Sequence, residues 1–146
     1  MTSPFHLRRG LSPPNGHDLL SPMVLSVIDV GSNAIRMSIA KAQGNSYDVL
    51  CKLRVPIRLG EDVFANGLIS GKLIQKTVGA FKKFKKLSEA HGSQKIIAIG
   101  TSALRNAKNK KQLLASVKKS TGIGIDVISG TQESELVFKA ISSKVS

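Results

Sequence analysis

The chain has 146 residues, 41% of them hydrophobic, and a formal net charge of +13: enough for one globular core, with a strong attraction for anions. A single cysteine, Cys51, excludes an internal disulfide and shows no metal-ligand spacing with the three histidines, which points to a reducing cytoplasm. No apolar run approaches the roughly 18 residues of a membrane span, so no membrane partner is expected.

Residues 1–22 hold four of the five prolines and no continuous apolar stretch, so they read as a disordered leader, with Met23 a second candidate start. Strand-like runs then follow at Val24 to Val30, Ala34 to Ala42 and Tyr47 to Leu59, with a turn at Gly44-Asn45. From Ser70 the period changes. Leu73, Ile74, Val78, Phe81, Phe84 and Leu87 recur at helical spacing as far as Gly92. Lys95 to Gly100 (KIIAIG) predicts a short buried strand, Lys110 to Ser120 a helix, Ile125 to Ser129 a strand, and Gly130 to about Ser143 a last helix.

The order is therefore βββαβαβα over residues 23–146. Three antiparallel strands followed by two that each arrive through a helical crossover suit an α/β mixed sheet of the ribonuclease H-like kind. In that arrangement VIDVGSN, IGTSALR and ISGTQES converge on one edge. At the first of these, Gly31 lets the backbone turn tightly, and the N–H groups around Ser32 and Asn33, with their side chains, form an anion cradle. Asp29 could hold a magnesium ion directly or through water. A plain β-hairpin explains the same residues, because turns favour Ser and Asn.

Charge is unevenly placed. Between Lys76 and Lys119 there are twelve Lys or Arg against one acid, Glu89. Lys82, Lys83 and Lys86 fall opposite the apolar stripe of the long helix, as a polyanion track or as an ordinary solvated face.

Four blocks, VIDVGSNAIRMSIA, RVPIRLGEDVFANGLIS, IAIGTSALRNAKN and TGIGIDVISGTQESEL, resemble in order and spacing the amino-terminal domain of the exopolyphosphatase and guanosine pentaphosphate phosphohydrolase family. That family belongs to the actin, Hsp70 and sugar-kinase superfamily, so the resemblance implies the ribonuclease H-like (actin-like ATPase) domain. It also implies roles: Asp29, Gly31, Ser32 and Asn33 in the first phosphate loop with Mg2+, Arg105 facing the substrate phosphates, and Glu133 orienting and deprotonating the attacking water. Gly130 fits the turn ahead of Glu133. From spacing alone, Ser129 and Gln132 form a capping box, which makes Glu133 a helix-start residue, and Glu135 with Lys139 is a helix surface pair.

The sequence departs from the family at Gln132, where a second acid is usual. The family also continues into a further strand and an Asp-x-Gly-Gly-Gly-Ser loop, so this chain reads as an incomplete amino-terminal domain. Three readings follow. The first is a hydrolase removing terminal phosphate from inorganic polyphosphate or guanosine pentaphosphate, with full-length members as homodimers and this chain alone inactive. The second is a noncatalytic polyphosphate- or alarmone-binding regulatory domain. The third, a basic nucleic-acid-binding module, ranks last for want of an aromatic stacking platform.

Overall fold

The computed structural model describes residues 21–135. Alternating apolar and polar side chains give three strands, β1 (Met23–Val30), β2 (Ile35–Gln43) and β3 (Ser46–Val55), joined as an antiparallel meander. Gly44 turns the second hairpin at φ 61°, a left-handed conformation that glycine adopts without steric cost. Two further strands, β4 (Lys95–Gly100) and β5 (Ile125–Val127), extend the sheet on the other side of β1. β4 runs parallel to β1 and β5 parallel to β4, giving the order β3-β2-β1-β4-β5. This is the mixed sheet that a ribonuclease H-like core requires.

Four helices lie in the connections: α1 (Leu59–Asn66), α2 (Gly71–Ala90), α3 (Ser102–Asn106) and α4 (Lys110–Thr121). The long helix and α4 stand where the 3.6-residue period places them. The third strand, expected to reach Leu59, stops instead at Val55. Pro56 has no N–H for the ladder, and beyond it Glu61 and Asp62 occupy the first turn of α1, which closes on Gly67 at φ 77°. With α3 also absent from the sequence reading, the described order is βββααβααβ, followed by helical residues 130–135. β5 ends at Val127, two residues short of expectation. Leader residues 1–20, the rest of the expected last helix and Lys139 of the Glu135 pair lie outside the described residues.

One face of the sheet carries the core. Ile28 and Val30 of β1, Ile35, Met37 and Ile39 of β2 and Ala98 of β4 pack with Phe81 and Phe84 of α2 and Leu113 and Val117 of α4. The two phenylalanines meet edge to face at 5.9 Å. At the start of β1, the Ser88 hydroxyl of α2 donates to Ser26 at 2.7 Å, and Ser26 donates to Ser93 at 2.9 Å. The C-terminal turns of α2 are thereby fixed near the start of β1, and its N-terminal turns toward the end where the polar loops emerge. Among the described residues no helix is long and apolar enough to cross a membrane.

Candidate functional site

Parallel pairing of β1, β4 and β5 sends their carboxyl ends to one edge, and the backbone binds the three exits together. Val30 is in register with Gly100, and Gly100 with Val127. Thr101 N–H donates to the Val30 carbonyl at 3.2 Å, and Ile128 N–H to the Gly100 carbonyl at 3.0 Å. VIDVGSN, IGTSALR and ISGTQES thus meet as the topology requires.

In the first loop the Gly31 N–H donates to the Ala34 carbonyl at 3.0 Å, so it is engaged in the turn and not in a cradle. Gly31 has no positive φ. Its requirement is closeness, since a Cβ there would lie 3.1 Å from the Ala34 oxygen. The next two residues are differently placed. Among the described residues, no hydrogen bond engages the N–H or the side chain of either Ser32 or Asn33. The Ser32 carbonyl accepts from Gly60 N–H at 2.9 Å, which props the loop on the start of α1. A Cβ on Gly60 would come within 3.0 Å of the Ser32 Cβ. Sequence reasoning missed this support; its signal was Pro56 followed by Leu-Gly-Glu-Asp and a closing glycine, the punctuation of a short helix.

Arg105, in α3, is drawn across to the third loop. Its Nη1 donates to the Ile128 carbonyl at 2.9 Å and lies 3.5 Å from Glu133 Oε2. Its side chain is 30% exposed, so it is not the freely solvated helix-start residue that spacing alone would allow. Lys110 Nζ caps the Arg105 carbonyl at 2.6 Å. Glu133 stands on a helix start whose capping box is complete: Gln132 N–H donates to Ser129 Oγ at 3.1 Å, and Ser129 N–H to Gln132 Oε1 at 2.8 Å. Gly130 lies in the first turn of that helix without a positive φ, and a Cβ there would meet nothing within 4 Å, so no tight turn demands the glycine.

Asp29 completes the group. Burial pushes its carboxyl above the usual carboxylate range; Arg36, opposite it on β2, pulls it back, and the Glu133 carboxylate raises it again. Its Oδ1 is buried with no hydrogen-bond partner. Such an oxygen fits a hard divalent cation, and Mg2+ needs only one or two protein carboxylates because it keeps water and takes phosphate oxygens. Among the described residues no group of three His, Cys, Asp or Glu is placed to hold a metal ion.

The raised pKa has a sign that can be tested. The folded chain holds the Asp29 proton more tightly than the unfolded chain, so its contribution to stability is full below the unfolded pKa. That contribution is lost as pH rises through the folded pKa. Asp29→Asn has no such loss. Without metal, its melting temperature should gain on the parent's as pH rises from about 3 to about 7, and parallel curves would show that burial of Asp29 carries no such cost.

Lys82, Lys83 and Lys86 are exposed on α2. They belong to its C-terminal half, near the start of β1, so the structure does not bring them to the three-loop edge.

A family model described as the Ppx/GppA phosphatase family matches residues 38–146. Exopolyphosphatase 1 of Mycobacterium tuberculosis is 31% identical over 120 residues, covering 82% of this chain and 35% of that protein. The guanosine-5'-triphosphate,3'-diphosphate pyrophosphatase of Photobacterium profundum is 27% identical over 123 residues, 84% of this chain and 24% of that one. Among solved structures, an exopolyphosphatase from Cytophaga hutchinsonii superposes with a TM-score of 0.79 at 29% identity, over 83% of this chain and 39% of its own. The chain thus spans between about a quarter and two fifths of the length of these relatives.

Proposed function

Because this chain belongs to the Ppx/GppA phosphatase family, we propose that its three-loop edge binds the terminal phosphates of a phosphoanhydride substrate and contributes to their hydrolysis. The observation that carries this is the Arg105–Glu133 pair at 3.5 Å, on the same sheet edge as the loop that carries the unengaged donors of Ser32 and Asn33. The substrate class is inorganic polyphosphate or guanosine pentaphosphate, the chemistry named for the relatives, in a cytoplasmic setting.

In this reading the Arg105 guanidinium turns its remaining donors to phosphate oxygens, where fork geometry and permanent charge favour a dianionic group. The Ser32 and Asn33 donors, on the turn that the Gly31 N–H closes, line the same phosphate together with the backbone at Gly130. Glu133 orients a water and takes its proton as the water oxygen bonds to the terminal phosphorus. The bridging P–O bond then breaks, and its electron pair leaves with the shortened chain. Asp29 would hold Mg2+, which supplies charge neutralisation at the phosphate oxygens. A second reading, phosphate binding without hydrolysis, is favoured by the complete capping box, which accounts for the helix start at Glu133 without catalysis.

Tripolyphosphate binding by Ser32→Ala and Asn33→Ala tests the loop. Each should lose about 1 kcal/mol of affinity per hydrogen bond removed, more where the bond is charge-assisted, with melting temperatures near the parent's. If both folded variants bind as the parent does, VIDVGSN is a hairpin turn and the phosphate-loop reading is abandoned.

A further inference from the structure

Helix α2 contains an interior glycine that the fold does not require. Gly79 is exposed, has no positive φ, and a Cβ built on it would meet nothing within 4 Å. Glycine within a helix weakens it relative to alanine, so this position carries a stability cost with no packing gain. Its surroundings suggest the reason. At about 100° per residue, Lys72, Lys76, Lys83 and Lys86 fall within a sector of about 80° with Gly79 near its middle. All four lysines are exposed, and none makes an ion pair among the described residues. Lys82 and Glu89 fall outside that sector. The stripe runs about 21 Å along the helix at about 1.5 Å per residue.

At its N-terminal end the stripe opens into a cleft of about 330 Å³ lined by Arg58, Glu61, Asp62, Ser70, Lys72 and Lys76. The two acids there are already engaged: Glu61 accepts from Arg58 at 3.0 Å, and Asp62 Oδ2 from Ser70 N–H at 3.0 Å. Lys72 and Lys76 are therefore left facing the cleft without a carboxylate partner.

We propose that the Lys72, Lys76, Gly79, Lys83 and Lys86 face of α2 is a track for extended linear polyphosphate, with the bare helix at Gly79 letting the chain lie close to the surface. The proposal rests on the three-loop edge being a phosphoanhydride site and gives that site a preference for long chains. Lysines on flexible stems suit a linear anion without fixed geometry. Nucleic acid is disfavoured because the exposed aromatics among the described residues, Tyr47 and Phe64, lie on β3 and α1 and not on this face. A membrane surface is disfavoured because the face offers no large apolar side chain to insert.

The test compares long-chain polyphosphate, tripolyphosphate and oligothymidylate of matched charge on the full chain. With Lys72, Lys76, Lys83 and Lys86 all changed to Ala, long-chain affinity should fall by at least roughly tenfold, and the salt slope by roughly one per lysine removed. Tripolyphosphate affinity should hold. Gly79→Leu, which favours the helix, should raise the melting temperature while weakening long-chain binding. Unchanged long-chain affinity in the quadruple variant would make the stripe a solvated face and end the proposal. An equal loss for tripolyphosphate would end it as a separate track, and equal binding and loss for oligothymidylate would end its assignment to polyphosphate. Failure of the underlying site reads out elsewhere, as Ser32→Ala and Asn33→Ala variants that bind tripolyphosphate like the parent.

Discussion

Phe84→Ala should cost the fold about 3–5 kcal/mol, the usual penalty for truncating a buried aromatic and leaving a cavity. Phe84 has no exposed surface, and it packs edge to face on Phe81 between α2 and the sheet. The aromatic pair adds a fraction of a kcal/mol or more beyond area burial, and β1 and β2 lean on the same cluster. For a domain of this size the melting temperature should drop by roughly 10–30 °C, at about 3–6 °C per kcal/mol. Thermal unfolding followed by circular dichroism measures it. A drop of only a few degrees would mean that α2 closes over the cavity and that the core tolerates the loss.

That residue was legible from the sequence because a long amphipathic helix repeats its signal. Val78, Phe81 and Phe84 recur at helical spacing over α2, and the structure buries all three. Short elements lacked such redundancy. α1 spans eight residues and α3 five, too few for a period to show. In RVPIRLG the alternation of Val55 and Ile57 prolonged the strand pattern past Pro56. The same limit applied to the site. Strand order alone brought the three loops together, because parallel strands must end at a common edge. The grip of Arg105 on the Ile128 carbonyl depends on where α3 sets that side chain relative to the loop after β5, which no local pattern encodes. The prop of Gly60 under Ser32 was hidden for the same reason, and neither spacing nor composition showed that one oxygen of the half-buried Asp29 would lie buried without a partner.

Arg105 and Glu133 should respond in opposite directions when each loses its charge. Arg105→Ala removes the fork that the three-loop edge would turn on a phosphate, and tripolyphosphate affinity should fall by about 1.5–3 kcal/mol, roughly 10- to 150-fold. Part of that loss could come from releasing the Ile128 carbonyl, which the guanidinium holds at 2.9 Å. Melting temperatures read the second effect, and Arg105→Gln supplies an uncharged variant whose shorter side chain keeps most of the methylene packing. If anion recognition is the larger part, Gln should bind nearly as poorly as Ala while melting closer to the parent. Glu133→Gln removes the carboxylate 3.5 Å from Nη1, which frees the guanidinium and takes a negative charge from beside the phosphate. Binding should therefore tighten, although a hydrolytic reaction would lose its base. A surface ion pair with no ligand role predicts neither shift, because such pairs contribute at most about 1 kcal/mol to stability and nothing to anion affinity. Calorimetric titration of the three variants with tripolyphosphate decides it: weaker binding for both Arg105 variants with tighter binding for Glu133→Gln supports a phosphate site, and three unchanged affinities would reduce the pair to a helix-start contact.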